Sequence, residues 1–295
     1  MLKHRSPSPT SPSRVVIVGA GGFVGKTAAA RLRARGVQVT GIARQDIDLL
    51  DGNATDQLAA KLSPGDTLVV IAAKAPVKNH TMLIDNLRMM TAVCAALASV
   101  PVGHLVYVSS DAVYADADAP LTEASCAQPA SLHGVMHLAR EVMLAQAGKA
   151  PLCVLRPTLI YGAADPHNGY GPNRFRRLAQ RGEAIVLFGA GEERRDHVYI
   201  DDVAEIVARC VLHKSEGVLN IATGSVATFR DIAEQVAALA PAAPAIRTSP
   251  RRGPLPHRGY RAFDAAATSR AFPDFRYTPL ATGLALSQKQ EFGNG

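Results

Sequence analysis

Short apolar runs alternate with helical segments along most of the chain. The first run, Val15–Val18, is rich in β-branched residues, which suits a strand that is buried on both faces. A glycine-rich turn follows it, and residues 26–32 then have helical composition. Further strands are predicted at residues 37–42, 67–73, 105–110 and 152–157, and further helices at residues 86–98, 131–146 and 174–180. This alternation predicts an α/β protein with a doubly wound parallel sheet of the Rossmann type.

The two ends of the chain depart from this pattern. Residues 1–13 carry three prolines among serines and basic residues, a composition that cannot bury enough apolar surface to order the chain. We therefore expect a disordered tail there. Proline-rich sequence over residues 241–256 leads to a short terminal lobe. We expect a large domain over residues 14–165, to which residues 196–223 return, and a smaller domain formed by residues 166–195 and 224–295.

The turn after the first strand carries Gly19, Gly22 and Gly25. A side chain at the first two glycines would hold a diphosphate away from the backbone N–H groups and from the positive end of the helix. A side chain at the third would push the helix away from the strand. The turn, with Phe23 and Val24 at its helical end, therefore predicts a dinucleotide site, and the alternative is an ordinary tight turn.

The end of the second strand bears on the choice between NAD and NADP. An acidic residue there would bond the ribose 2′-hydroxyl of NAD, whereas an arginine accommodates the 2′-phosphate of NADP. Arg44 stands at this position and favours NADP, although it could instead stack over the adenine. Asp48 and Leu49 follow where an adenine could be held. Ala72 and Ala73, at the end of the next strand, are small and leave room for a ligand.

Composition and charge narrow the class of protein. The chain is 47% hydrophobic and 19% charged, which indicates a globular protein, and we find no apolar run that approaches the roughly 20 residues of a membrane span. Its start lacks the apolar stretch of a signal peptide. The four cysteines match no metal or disulfide spacing, which favours a cytoplasmic location. The net charge is +7, and arginines cluster in the second half, which fits a compact anionic ligand at least as well as nucleic acid. We expect no nucleic-acid partner.

Several ordered motifs carry a resemblance to a known family. They are the glycine turn of residues 19–25, Asn86 on its helix, and residues 108–114, 155–162 and 195–203. Past the tail, the chain resembles the extended short-chain dehydrogenase/reductase family, the NAD(P)-dependent epimerases and dehydratases of nucleotide sugars. The resemblance implies a Rossmann domain that binds the cofactor, with Asn86 and Pro157 in its site, and a small C-terminal domain that holds a nucleoside diphosphate. It also implies a homodimer that pairs through the helices of residues 86–98 and 131–146.

The resemblance also implies roles for individual residues. Ser110 matches the catalytic serine or threonine, which bonds the substrate hydroxyl that is oxidised, and Asp111 beside it would contact the substrate. Arg195 and one of Arg251 or Arg252, of which we choose Arg252, match the arginines that bind the diphosphate. Dehydratases of the family follow their catalytic threonine with an Asp-Glu pair. The second acid of that pair is missing here, which favours an epimerase or a reductase.

The catalytic helix departs from the family pattern Tyr-x-x-x-Lys, because His133 and His137 stand in the two positions. In the family the tyrosine exchanges the hydroxyl proton, and the lysine lowers its pKa and holds the nicotinamide ribose. An imidazole has an ordinary pKa near 6.5 and is a competent base at neutral pH. The two histidines are one helical turn apart and share a face, so His137 could bond the ribose.

Three interpretations of the two histidines remain open. In the first, Ser110, His133 and His137 are the catalytic residues of an NAD(P)-dependent oxidoreductase or epimerase that acts on a nucleotide-linked sugar. In the second, the redox chemistry is lost and the chain is a non-catalytic dinucleotide-binding sensor or subunit. In the third, the imidazoles bind a metal. Because no glutamate stands beside His133 and no third ligand is evident, we expect no metal.

Overall fold

A computed structural model describes residues 2–241 and 243–293. Its strands are β1 Lys3–His4, β2 Val15–Val18, β3 Val39–Ile42, β4 Thr67–Val70, β5 His104–Val108, β6 Leu152–Pro157, β7 Leu159–Tyr161, β8 Ile185–Phe188, β9 Arg194–Tyr199, β10 Ser215–Ile221, β11 Val226–Thr228, β12 Ile246–Ser249 and β13 Tyr260–Arg261. Its α-helices are α1 Phe23–Arg33, α2 Ala54–Ala59, α3 His80–Ser99, α4 Leu132–Ala147, α5 Pro172–Gln180, α6 Ile200–Leu212, α7 Phe229–Leu239, α8 Ala266–Ala271 and α9 Leu280–Phe292. Two short 3-10 helices span Asp111–Val113 and Pro256–Gly259.

The large sheet has the strand order β1-β10-β6-β5-β4-β2-β3. All neighbours in it are parallel except β1, which is antiparallel to β10. Side chains alternate between two apolar layers, so that Ile17 packs with α1 and α6 and Val16 packs with α2, α3 and α4. The predicted doubly wound α/β sheet is confirmed. The order of strands reverses at β2, because β3 lies on one side of it and β4 on the other. A crevice therefore opens at the carboxyl ends of β2 and β4, where such sheets bind ligands.

A second, smaller set of strands and helices surrounds another core. β9 pairs with β7, β11 and β13, and β8 pairs with β12 in a separate two-stranded sheet. Phe175 of α5, Ile232 of α7 and Leu284 of α9 are buried together in this core. Helix α6 and strand β10 return to the large sheet, whereas β9, which precedes them, stays with the smaller one.

The prediction of a disordered tail over residues 1–13 is wrong for the part that the structure describes, which excludes Met1. His4 pairs with Ser215 across the β1–β10 ladder, and its ring nitrogens lie 2.9 Å from Ser215 Oγ and 3.0 Å from the Ala271 carbonyl. The Ser6 N–H donates to the His213 carbonyl at 3.0 Å. Composition could not reveal this order because the tail is held by hydrogen bonds at the sheet edge and by contacts of Leu2 and His4 with residues distant in the chain.

The expected smaller domain over residues 224–295 is also wrong in part, and Ala242, Asn294 and Gly295 lie outside the described residues. Phe272 and Phe275 pack in the core of the large sheet, beside α6. Arg209 of α6 draws this segment in, because its guanidinium pairs with Asp274 at 2.7 Å and lies over both phenylalanine rings. The chain therefore crosses back to the large sheet before α9.

Helix α3 is the one described helix that is long and apolar enough to cross a membrane, judged by length and composition alone. We expected no such run. Met90, Val93 and Leu97 on one face of this helix pack against the large sheet. Its apolar character is therefore explained by its place as a core helix of the fold.

Candidate cofactor and active site

A cleft of about 1110 Å³ opens at the carboxyl ends of the parallel strands. Most of the residues that the sequence predicts for the site line it, namely Gly19, Gly22, Phe23, Val24, Arg44, Asp48, Leu49, Ala72, Ala73, Ser110, Asp111, His133, His137, Pro157 and Arg195. Gly25, Asn86 and Arg252 do not line it. The fold thus brings together segments as far apart in the chain as those of Val18 and His257.

The glycine turn has the predicted shape, but one glycine is needed for a different reason. Gly19 has φ +96°, and an added Cβ would lie 2.5 Å from the Ala72 backbone nitrogen. The absent side chain therefore makes room for the segment that follows β4, and the expected room for a diphosphate stays a prediction. At Gly25 an added Cβ would lie 2.1 Å from the Gly19 carbonyl oxygen. This glycine lets α1 pack against the turn, as the sequence predicts.

The N-terminus of α1 opens toward the cleft. Gly22 is its N-cap and offers no side chain to the helix, and Phe23 and Val24 in the first turn line the cleft. The first N–H groups of a helix lack partners within the helix and carry its positive dipole end. This turn therefore fits an anionic diphosphate.

Arg44 is the cation that faces the cleft at the end of β3. Its guanidinium is 77% exposed and pairs with the Asp48 carboxylate at 3.0 Å. Asp46, the other nearby acid, accepts a hydrogen bond from the Ala43 N–H at 2.8 Å and does not line the cleft. The position where a carboxylate would favour NAD is thus held by an exposed arginine that is paired with Asp48.

Asn86 does not contact the cleft, contrary to its expected place in the cofactor site. Its side chain is fully buried, accepts from the Lys74 N–H at 2.9 Å, and donates to the carbonyls of Lys74 and Met82. These bonds hold the segment after β4 in place. Lys74 itself lines the cleft and pairs with Asp85 at 2.6 Å.

Ser110 and Asp111 form the wall of the cleft after β5. The Ser110 hydroxyl caps the short 3-10 helix by accepting from the Ala112 N–H at 3.1 Å. The Asp111 carboxylate accepts from Arg261 Nε at 3.0 Å, and the same guanidinium donates to the Asp111 carbonyl. Asp111 is therefore paired with Arg261 through Oδ2, and its contact with substrate stays a prediction. The sequence could not show this pair because its members are 150 residues apart.

A close approach between α4 and this wall places His133. An added Cβ at Gly134 would lie 2.0 Å from the Ala112 carbonyl oxygen, so only glycine fits. Burial lowers the pKa of His133, the Asp111 carboxylate partly restores it, and His167 lowers it again. Its Nδ1 is buried and has no partner among residues 2–241 and 243–293. His133 is thus a neutral imidazole that lines the same cleft as Ser110 and lies within the electrostatic reach of Asp111.

His137 lies deeper, one helical turn beyond His133. The two rings meet edge to face, with centroids 4.8 Å apart. His137 Nδ1 lies 2.8 Å from the Tyr107 hydroxyl, which leaves Nε2 as the ring nitrogen for a ligand. Burial lowers its pKa well below the ordinary value, and the nearby His133 and Arg140 lower it further.

A buried polar network links α4 to the strands of the large sheet. The Ser109 hydroxyl donates to Glu141 Oε1 at 2.5 Å, and Arg156 binds both oxygens of the same carboxylate at 3.0 and 2.5 Å. Arg156 also donates to the Tyr114 hydroxyl, which in turn donates to Asn220. The network ties α4 to β5, β6 and β10 and fixes the height of both histidines above the sheet.

The two arginines expected to bind a diphosphate differ in position. Arg195 on β9 lines the cleft and pairs with Glu193 at 3.2 Å. Arg252 is exposed and does not line the cleft, and Arg251 donates instead to the Phe188 carbonyl. His257 of the following turn, which has a left-handed backbone (φ 49°), lines the cleft, whereas Arg251 and Arg252 do not.

Several polar residues that line the cleft were missed by sequence reasoning, among them the basic side chains Lys74, His167, His197 and His257. His197 is buried against Phe229, and neither of its ring nitrogens has a partner in the described part of the chain. Burial lowers its pKa to about 3. The strand alternation of β9 puts His197 on the same side as Arg195, and this was the available signal.

The described residues contain no group of three or more His, Cys, Asp and Glu side chains that could hold a metal ion. The metal interpretation of His133 and His137 therefore has no set of ligands in this part of the chain.

Comparisons with known proteins agree with this geometry. The family model for the NAD dependent epimerase/dehydratase family matches residues 15–222. The chain is 27% identical to 2-alkyl-3-oxoalkanoate reductase of Shewanella oneidensis over 65% of this chain and 55% of that protein. It is 25% identical to GDP-L-fucose synthase of Escherichia coli over 77% of this chain and 81% of that protein. The chain thus spans about half the length of the first relative and most of the second.

Solved structures share the fold over nearly their whole length. MoeE5 in complex with UDP-glucose and NAD superposes with a TM-score of 0.80 and 25% identity, covering 94% of this chain and 97% of that one. A GDP-L-fucose synthetase from Naegleria fowleri bound to NADP superposes with a TM-score of 0.83 and 17% identity, covering 98% and 96%. The second likeness shows the fold alone. Structural neighbours of the chain bind NAD or NADP.

Proposed function

The chain belongs to the NAD dependent epimerase/dehydratase family, and we propose that it is an NAD(P)-dependent oxidoreductase or epimerase of a nucleotide-linked sugar. In this proposal His133 takes the place of the usual tyrosine as the group that exchanges the substrate proton. The observation that carries it is the close approach at Gly134, which packs the start of α4 against Ala112, so that His133 and Ser110 line the same cleft.

The residues at the glycine turn fit a pyridine dinucleotide. The exposed first turn of α1 offers N–H donors to its diphosphate, and Ala72 and Ala73 leave space along β4. Arg44 supports NADP over NAD, because a guanidinium binds a phosphate through paired charge-assisted hydrogen bonds. When bound, the nicotinamide supplies the hydride acceptor or donor of the reaction.

The chain's own residues would orient the substrate and move its proton. Ser110 would hydrogen-bond the reacting hydroxyl. His133, neutral because burial lowers its pKa, would accept that proton during oxidation and return it during reduction. His137 would hold the nicotinamide ribose through Nε2. Arg195, which faces the cleft from β9, would bind the diphosphate of the substrate, without help from Arg252.

The first test compares His133→Ala with the parent for turnover and for cofactor binding. NADP, NADPH, NAD and NADH are offered with a panel of nucleotide sugars, and both nicotinamide absorbance and product identity are followed, because an epimerase shows no net redox change. We expect the variant to lose roughly 100-fold or more in turnover, as is usual for a general acid/base, while its cofactor affinity stays within about twofold. The matched control is His80→Ala, an exposed histidine at the start of α3.

The outcomes separate the candidate functions. Equal turnover in His133→Ala and parent would contradict the role of His133. Cofactor binding without conversion across the panel would favour a sensor or a non-catalytic subunit, for which the absence of the Tyr-x-x-x-Lys pair is the supporting observation. The panel includes a 3-oxoalkanoate, and conversion of this ketone alone would replace the sugar as the substrate class.

We also propose a homodimer that pairs through α3 and α4. Four large apolar side chains are exposed on these helices, namely Ile84 at 52%, Leu132 and Val135 at 39% each, and Val142 at 56%. Such a set on adjacent helices is typical of a subunit interface. Light scattering after size-exclusion chromatography should give a dimer for the parent and a monomer for Val142→Glu combined with Ile84→Glu. An unchanged mass in this variant would contradict the interface.

A further inference from the structure

One hydroxyl group, that of Tyr107, contacts Nδ1 of the buried His137 ring. Tyr107 on β5 is fully buried, and its hydroxyl oxygen lies 2.8 Å from His137 Nδ1. This contact is the only hydrogen bond of the Tyr107 hydroxyl within residues 2–241 and 243–293. The Arg140 guanidinium lies 5.3 Å above the Tyr107 ring and donates to the Ala72 carbonyl, so it does not compete for the hydroxyl.

Both groups are neutral near pH 7. Burial raises the pKa of Tyr107 to about 12, so the phenol keeps its proton. Burial and the neighbouring His133 and Arg140 lower the pKa of His137, so its imidazole carries one proton and not two. The phenol and the imidazole therefore each carry one hydrogen, and the geometry decides which of the two groups donates the hydrogen bond between them.

Two arrangements would satisfy the 2.8 Å distance. If the imidazole donated from Nδ1, the Tyr107 hydrogen would be buried with no acceptor in the described part of the chain. If the phenol donates to Nδ1, both groups are satisfied, and the imidazole proton must sit on Nε2. The second arrangement is favoured because a buried donor that lacks an acceptor is strongly disfavoured.

We propose that Tyr107 is a positioning residue that fixes His137 in the tautomer with its proton on Nε2, so that the cleft meets an N–H donor and not an acceptor. The consequence for binding rests on the proposed function, in which His137 contacts the nicotinamide ribose. A fixed N–H donor there would bond a ribose hydroxyl oxygen as an ammonium group does, although it has one hydrogen in place of three. The tautomer itself does not depend on that function.

The tautomer can be read directly in the protein without cofactor. Histidine is labelled with ¹⁵N, the ring nitrogens are detected through long-range proton correlations, and the His137 signals are assigned by their loss in His137→Gln. We expect the pattern of a neutral ring protonated on Nε2 in the parent. In Tyr107→Phe we expect a mixture that includes the ring protonated on Nδ1. A parent ring protonated on Nδ1, or the same pattern in parent and Tyr107→Phe, would overturn the proposal.

Cofactor affinity provides the second measurement. Tyr107→Phe should weaken NADPH binding by about 2- to 10-fold, the range of one hydrogen bond. The matched control Tyr277→Phe should leave NADPH affinity unchanged. Tyr277 also has a hydrogen-bonded hydroxyl, to Thr268, and does not line the cleft. A shifted tautomer with unchanged affinity would support the tautomer and overturn the ribose contact of His137. Loss of affinity to the same extent in Tyr277→Phe would overturn the link between Tyr107 and the cofactor.

His137 variants offer an independent check of the same idea. A glutamine amide reaches the position of Nε2, whereas an asparagine amide reaches only that of Nδ1. We expect His137→Gln to retain NADPH affinity at least about threefold better than His137→Asn, since it preserves a donor toward the cleft. The reverse order would overturn the donor role, because it would show that the Nδ1 side makes the productive contact.

Discussion

Replacing Gly134 with alanine tests how closely α4 must approach the wall of the cleft. The added Cβ would lie 2.0 Å from the Ala112 carbonyl oxygen and 2.7 Å from Pro129 Cβ. Ordinary contact begins at about 3.4 Å, so the helix and the carbonyl must separate by roughly 1.4 Å. The neighbour is backbone of the 3-10 helix that Ser110 caps, and it cannot rotate away as a flexible side chain could.

The size of the effect follows from this forced shift. Overpacking of this kind costs about 1–3 kcal/mol of stability, which urea unfolding can measure without any knowledge of the substrate. A displacement of about 1 Å between groups that react together costs roughly 100-fold in rate. Because His133 precedes Gly134 and Ser110 caps the 3-10 helix that contains Ala112, Gly134→Ala should lose that much turnover. It should lose much less NADPH affinity, since only the His137 contact moves and the glycine turn stays in place.

The matched control is Gly52→Ala, because an added Cβ at Gly52 meets nothing within 4 Å. This variant should match the parent in both stability and turnover. Full turnover together with parental stability in Gly134→Ala would refute the argument, since it would mean that the approach of α4 does not set the position of His133. Loss of cofactor binding equal to the loss of turnover would indicate general unfolding of the cleft instead.

Three further outcomes are expected. Arg44→Ala should weaken NADP binding by roughly 10- to 100-fold with NAD binding within about twofold, and the exposed Arg270→Ala should change neither; equal loss for both cofactors would contradict the 2′-phosphate contact. Because burial lowers the pKa of His197 to about 3, the unfolded chain binds a proton that the native chain does not as the pH falls below about 6.5. Stability should then fall by up to about 1.4 kcal/mol per pH unit, and urea unfolding at pH 7 and pH 5 should show a shallower fall in His197→Phe. Glu141→Gln should cost about 3 kcal/mol or more, because it leaves a buried arginine without its carboxylate, whereas Glu183→Gln in an exposed pair should leave the unfolding midpoint unchanged.

Local patterns in the sequence predict the large sheet and the glycine turn well. The buried run Val15–Val18 and the helix after it depend on residues that are neighbours in the chain, and both form as expected. Strand β10 received no separate prediction, because a glycine interrupts its short run at Gly217. Strand β1 has only two residues and exists through its pairing with β10, so no periodicity could reveal it.

The site is predicted where a side chain acts alone and missed where it has a distant partner. Positions such as Ser110 and His133 follow from the motif and line the cleft. Asp111 is paired with Arg261, a residue that no local spacing connects to it. Asn86 hydrogen-bonds to backbone groups, and His257 lines the cleft whereas Arg252 does not. These outcomes depend on the tertiary path of the chain.

The short strand β1 also bears on how the protein can be handled. It covers the start of β10, whose backbone donors and acceptors would otherwise face water at the rim of the seven-stranded sheet. A version trimmed to begin at residue 14 would lose this cover together with the His4 contacts. Its bare rim would then be a template on which another molecule could add a strand, so shortening the front of the chain to aid crystallisation would promote aggregation instead.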